Sequence, residues 1–282
     1  MRSKSRIIFL LSPVICWLLL FFLLPLTYVI IYSFLKRDPY GGIQWTLTLE
    51  NYLRSFDGLY LQVLWRSITT GFVCTIFCLT IGYPFAYYLA VFKPKYRNIL
   101  LLLVVIPFWI NFLIRTFAWI LILRKEGILN SFLTVLIPGI QPLELLNTPI
   151  AVQIGLVYTY LPFMILPLYA SLEQIDFSLI DAAKDLGASP RKAFIHITFP
   201  LSLPGILAGS MLVFIPTVGA FLTPDLLGGG KVSYIGNIIE RQFKSALDYP
   251  FGSALSIVLM GFVLIGIIIY FRTLKDSGNL GY

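Results

Sequence analysis

The sequence predicts an all-α protein that crosses a membrane six times, and three observations predict it. The 282-residue chain is 58% hydrophobic and only 12% charged, about half the charge of an ordinary soluble domain. Its apolar residues gather into six runs, each long enough for the roughly 20 helical residues that a bilayer core requires. Short segments bearing Lys and Arg separate those runs, as the positive-inside bias demands of membrane loops.

The runs cover residues 7–35, 67–92, 98–123, 145–172, 197–224 and 249–271. The first follows Arg2, Lys4 and Arg6 and so imitates a signal peptide. It is far longer than the roughly 7–15 residues of an h-region and no small-x-small site follows, so it reads as an uncleaved span. The third is interrupted only by Arg115, which lies about 26 Å from Asn98 along a helix rising ~1.5 Å per residue. That puts a charge near the outer edge of the apolar layer, in a gating or a structural role. Residues 127–143 also lack charge, but Gly127, Pro138, Gly139 and Pro142 punctuate them; they read as an interfacial segment. The fifth run holds Pro200, Pro204, Gly205, Gly209, Pro216 and Gly219. Such breaks suit a helix lining a pathway, where water or protein satisfies freed backbone groups; packing kinks fit nearly as well.

Basic residues are denser in 1–6, 93–97, 172–196 and 272–282 than in 36–66, 124–144 and 225–248. The first set is therefore assigned to the cytoplasm, with both termini inside.

Several function classes fall away. The net charge of +8 is scattered along span flanks and forms no stripe, which excludes a nucleic-acid partner. Cys16, Cys74 and Cys78 all lie in apolar runs and read as packed free thiols without metal or disulfide. The segment 227–233, LGGGKVS, fails the phosphate-loop pattern because position 225 is Asp and Lys231 precedes Val232. No catalytic site, cofactor or ATP site is expected on this chain.

One compact charged stretch, DAAKDLGASPRKAFIHITFP from Asp181 to Pro200, interrupts the apolar pattern. Ser178 and Asp181 have capping-box spacing. Leu179, Ala182, Ala183 and Leu186 share a helix face, Gly187 suits a left-handed stop, and Ser189-Pro190 opens a second helix. So short a helix needs packing to persist, and a groove on a partner would supply it; an ordinary solvated connector is the plainer reading.

Asp181-Ala182-Ala183, then Gly187, then Ile197-x-Phe199-Pro200 resembles the EAA motif of ABC importer permeases, with Asp181 in place of Glu and Phe199 in place of Leu. The segments 82–90, 106–120, 155–173 and 225–243 are similar to the branch of that family that imports spermidine and putrescine. The resemblance covers nearly the whole chain. It implies a single permease domain, 1–282, with a type I importer fold and a cytoplasmic coupling helix at about 179–187. Asp181, Ala182, Ala183, Gly187, Ile197 and Pro200 would couple it to a separate ATPase that binds ATP. It also implies a second homologous permease, a periplasmic binding protein and an inner-membrane location. Asp225 beside Phe221, with Glu240 and Asp248 on the same side, would suit a substrate ammonium. The alternatives are a permease for another small organic cation or an inorganic ion, or a self-sufficient secondary transporter. The latter would usually carry mid-span carboxylates or histidines, and this chain has none.

Overall fold

A computed structural model describes residues 11–39, 42–92, 95–137 and 139–278. Residues 7–10 of the first expected span, and Arg2, Lys4, Arg6 and Lys93, lie outside the described residues. Five helices are long and apolar enough to cross a membrane: α1 (Leu11–Ser33), α3 (Gly58–Phe92), α7 (Pro149–Glu173), α9 (Pro190–Val218) and the stretch Tyr249–Ile269 of α12 (Tyr249–Gly278). The sixth candidate crossing is a bent pair, Arg97–Trp109 with Phe112–Leu136, turned through 97°, which fits a broken span or a re-entrant loop. It comprises α4 (Arg97–Val105) with the 3-10 turn Ile106–Trp109, then α5 (Phe112–Leu123) and α6 (Ile128–Leu136).

That bend corrects the expectation of a span over 98–123 interrupted only by Arg115. Pro107 tightens the chain into the 3-10 turn, Ile110 is extended (φ −88°, ψ 135°), and Asn111 opens α5 by accepting a 2.8 Å bond from the Leu113 N–H. An Asn at an N-cap restarts a helix in a new direction. The fifth expected span is corrected as well. α9 begins earlier, at Pro190, and ends at Val218, with Gly219 as its cap; a separate short helix, α10 (Leu222–Gly228), follows.

Two turns of π-helix, Leu19–Leu23 in α1 and Phe194–Thr198 in α9, share a cause. Each ends two residues before a proline, Pro25 or Pro200, which has no N–H for the regular i→i−4 ladder. The remaining elements are α2 (Glu50–Ser55), α8 (Ser178–Asp185), α11 (Ile235–Lys244) and a hairpin, β1 (Leu35–Arg37) with β2 (Ile43–Leu47), paired antiparallel. The hairpin departs from the all-α expectation; three- and five-residue strands leave too weak a period-2 signal to read from sequence.

The chain divides into two compact units: Met1–Gln62 with Ile238–Leu264, and Val63–Asn237 with Ile265–Tyr282. In the second, α7 and α9 make the most extensive helix contact. Gly205 and Gly209 explain it. A Cβ at 205 would lie 2.5 Å from Ser171 Cβ, and one at 209 would lie 2.8 Å from Met164 Sδ. Small residues four apart let helix backbones approach inside a membrane, where apolar burial supplies no driving force. These glycines are packing devices, not breaks. Met164, Leu168 and Leu172 of α7 are fully buried, as are Cys74 and Cys78 of α3 and Val213 of α9. The two buried thiols are packed and free, as expected.

In the first unit, Asn51 of α2 ties the end of α1 to the hairpin by donating to the carbonyls of Ser33 (3.1 Å) and Leu35 (2.9 Å). Asp248 is the hub of the same unit and is only 1% exposed. Its carboxylate lies 2.9 Å from Arg54 and 3.8 Å from Arg37, and it accepts from the Phe251 N–H at 3.2 Å. The Arg54 guanidinium also lies 3.9 Å from the Phe251 ring centroid. Burial works against the Arg54 charge, but its bonds to Asp248 and Tyr60 outweigh burial and hold its pKa above the ordinary value. Asp248, expected with Asp225 and Glu240 to suit a substrate ammonium, is instead a buried structural anchor.

Candidate functional site

The charged stretch after α7 folds as two helices with a sharp turn. α8 begins one residue earlier than the capping-box reading requires. Ser178 is its first helical residue and makes no cap; Asp176 accepts the Ser178 N–H at 3.0 Å instead. That backbone bond holds the Asp176 carboxyl below its usual range. An Asx turn two residues upstream competes successfully with a serine cap; the pair Asp176-x-Ser178 was a legible signal for it. Asp181 then forms a surface ion pair with Lys184 at 2.9 Å.

The end of α8 is a Schellman motif. The Gly187 N–H donates to the Lys184 carbonyl (2.8 Å) and the Ala188 N–H to that of Ala183 (2.9 Å), with Gly187 at φ +84°. Ser189 then caps the next helix, accepting from the Lys192 N–H at 3.4 Å, with Pro190 in the first turn. The outer face of α8 is apolar and open: Leu186 is 90% exposed and Leu179 49%. Its inner face, with Phe177, Ile180, Asp181 and Lys184, walls a cavity of about 580 Å³ also lined by Tyr87, Phe92 and Phe194. Ile197 lies in the π-helical turn and Pro200 just beyond it. The six motif residues thus occupy one continuous segment running from α8 through the turn into α9.

At the other end of α9, Phe221 and Asp225 flank the start of α10. Phe221 lines a cavity of about 250 Å³ with Phe112, Tyr160, Pro216 and Gly219. Asn237 fixes this corner, donating to the Phe221 carbonyl at 2.9 Å and to Asp225 at 3.4 Å. Glu240 belongs to the first unit and pairs with Lys244 at 2.9 Å. Arg115 is partly buried in α5, its guanidinium 5.9 Å from the Phe112 ring centroid and its Nε without a hydrogen-bond partner. Phe112 and Tyr160 escaped the sequence reading because one aromatic among many in a span carries no distinguishing signal. Among the described residues no cluster of metal-ligating side chains occurs.

Several candidate crossings, a bent pair among them and a capped helix between α7 and α9 fit a membrane permease. The chain belongs to the family of binding-protein-dependent transport system inner membrane components, whose pattern matches residues 82–275. It is therefore a multi-pass inner-membrane permease of the ABC importer class.

Among individual proteins, it is 46% identical to the spermidine/putrescine transport system permease protein PotB of Haemophilus influenzae, over 92% of this chain and 91% of that one. It is 45% identical to the Escherichia coli protein of the same name, over 92% and 94%. The trehalose/maltose transport system permease protein MalF of Thermococcus litoralis is 31% identical over 85% and 81%. Among solved structures, a chain of a bacterial alginate ABC transporter in complex with an alginate-bound periplasmic protein superposes with a TM-score of 0.75. The sequences are 17% identical, with 95% of this chain and 93% of that one covered.

Proposed function

We propose that this chain is one permease subunit of an ATP-driven polyamine importer and forms part of the path for spermidine or putrescine. The observation that carries the reading is the identity with PotB proteins along 92% of the chain, which takes in the segments on both sides of the membrane. In this reading a periplasmic binding protein delivers the substrate, a second homologous permease completes the path, and separate ATPase subunits bind ATP and drive it. α8 is the coupling helix: Asp181, Ala182, Ala183 and Gly187 set its shape, and Ile197 and Pro200 carry its movement into α9. The exposed Leu179 and Leu186 support that role, because apolar side chains at a short helix's outer face favour docking in a groove. Phe221, Asp225 and Glu240 serve the substrate path, and Arg115 holds or gates its rim.

The test is uptake of labelled spermidine by the complete transporter in vesicles. Asp225→Asn keeps the shape and removes the charge. A charge-assisted hydrogen bond contributes about 1.5–3 kcal/mol, so uptake per complex should fall roughly tenfold to a hundredfold at ~1.4 kcal/mol per decade. Parental uptake in that variant would remove Asp225 from the path. A parent that takes up no polyamine would overturn the substrate and leave the permease class standing.

Both termini and α8 are placed in the cytoplasm on the density of basic residues. With Cys16 replaced, the buried Cys74 and Cys78 stay silent to an impermeant thiol reagent in intact cells. Ser131→Cys should then be labelled from outside and Ser178→Cys should not. The reverse pattern would invert the topology and remove α8 from reach of a cytoplasmic ATPase.

A further inference from the structure

The five apolar runs from residue 67 onward contain no Asp or Glu. A polycation crossing beside this chain therefore meets no mid-membrane carboxylate from it, although leaving water without compensation is costly for any charge. The second unit holds a different compensating group, a connected series of aromatic faces. Phe112, Tyr160 and Phe221 line the 250 Å³ cavity at the break between α9 and α10. Tyr160 lies one turn from Phe163 on α7, ring centroids 6.2 Å apart, and Phe163 meets Phe108 edge-on at 4.9 Å. Phe108 belongs to the 3-10 turn that breaks the third span, so the series runs from one helix break to the other.

A further feature points to a cation. The C-terminal end of α9, capped by Gly219, opens onto the cavity, and helix C-termini present the negative end of the backbone dipole. Arg115 sits over the Phe112 ring at 5.9 Å, so that ring serves this chain's own cation and the substrate is left the other rings. A π face also holds an ammonium weakly enough to release it, as a transit site requires.

We propose that Phe221, Tyr160, Phe163 and Phe108 form an aromatic transit track for a linear alkylammonium, entered at the α9–α10 break. The proposal rests on the polyamine reading above and adds how the charge is carried where no carboxylate exists.

Fluorination tests it, because each fluorine withdraws electron density from the ring face while nearly preserving shape. Phe221→fluorophenylalanine, →difluorophenylalanine and →trifluorophenylalanine, and the same series at Phe163, are installed in the chain of the complete transporter. Labelled-spermidine uptake is measured per assembled complex in vesicles. A stepwise fall with fluorine number, reaching about fivefold to thirtyfold, is expected from loss of a desolvated cation–π contact. A parent that imports spermidine and a flat series at both positions would overturn the track while leaving the substrate reading intact. A parent that imports no polyamine would overturn the substrate reading and the track with it.

Discussion

Gly187→Val is expected to abolish ATP-driven uptake while the chain remains in the membrane. The cause is conformational, not steric. A Cβ at position 187 would meet nothing within 4 Å, but the residue sits at φ +84°, where a branched side chain is strained by about 1–3 kcal/mol. α8 has eight residues, too few to stay helical in water by propensity alone. Losing the Schellman bonds at Lys184 and Ala183 would therefore redirect its last turn, which holds Leu186 and, one turn earlier, Ala182. Uptake should drop at least tenfold, while crosslinking from Ala183 to the ATPase weakens. Gly187→Asn should keep most of the activity, because Asn tolerates the left-handed region. Full uptake by the valine variant would mean that the loop is a passive connector.

The second large effect should come from Asp248→Ala. This change strips a nearly buried carboxylate from Arg54 and Arg37 and leaves the Phe251 N–H without its side-chain acceptor. Breaking a fully buried pair costs about 3–5 kcal/mol. Here both arginines are nearly half exposed, at 43% and 46%, and can rehydrate, so about 2–3 kcal/mol is the better figure. Local opening of α2 should become roughly 30- to 150-fold more frequent at ~1.4 kcal/mol per decade. Trypsin cleavage after Arg54 in the purified complex reads it directly. An unchanged cleavage rate would show that Asn51 and its bonds to Ser33 and Leu35 hold the segment without help.

The apolar runs were legible because a bilayer imposes a length and excludes charge, and both constraints act on composition. The glycine stop at 187 and the Ser189 cap were legible because each depends on one or two residue types at fixed offsets. What escaped was decided by tertiary partners. Asp248 resembles any loop carboxylate until Arg54, 194 positions away, and Arg37, farther still, converge on it. The break at Ile110–Asn111 is hidden inside an apolar run whose hydropathy hardly changes across it. Gly205 and Gly209 read as helix breakers in isolation and as packing surfaces only once α7 lies against them. The aromatic series draws on three separate helices and a turn, so no local window contains it.

None of the apolar window of α1 is buried against the rest of the chain, although its mean hydropathy of 2.7 is the highest among the five long helices described. This matters during synthesis. A helix whose apolar window is buried by none of its own chain's later segments can leave the translocon for lipid as soon as it emerges, since insertion depends on its own partitioning. Its side chains are constrained by lipophilicity more than by shape. Substitutions among Leu, Ile, Phe and Val along it should be tolerated far more freely than at Met164 or Val213, where each side chain has fixed neighbours. The candidate span with the least burial in this chain is thus also the one whose sequence is freest to drift.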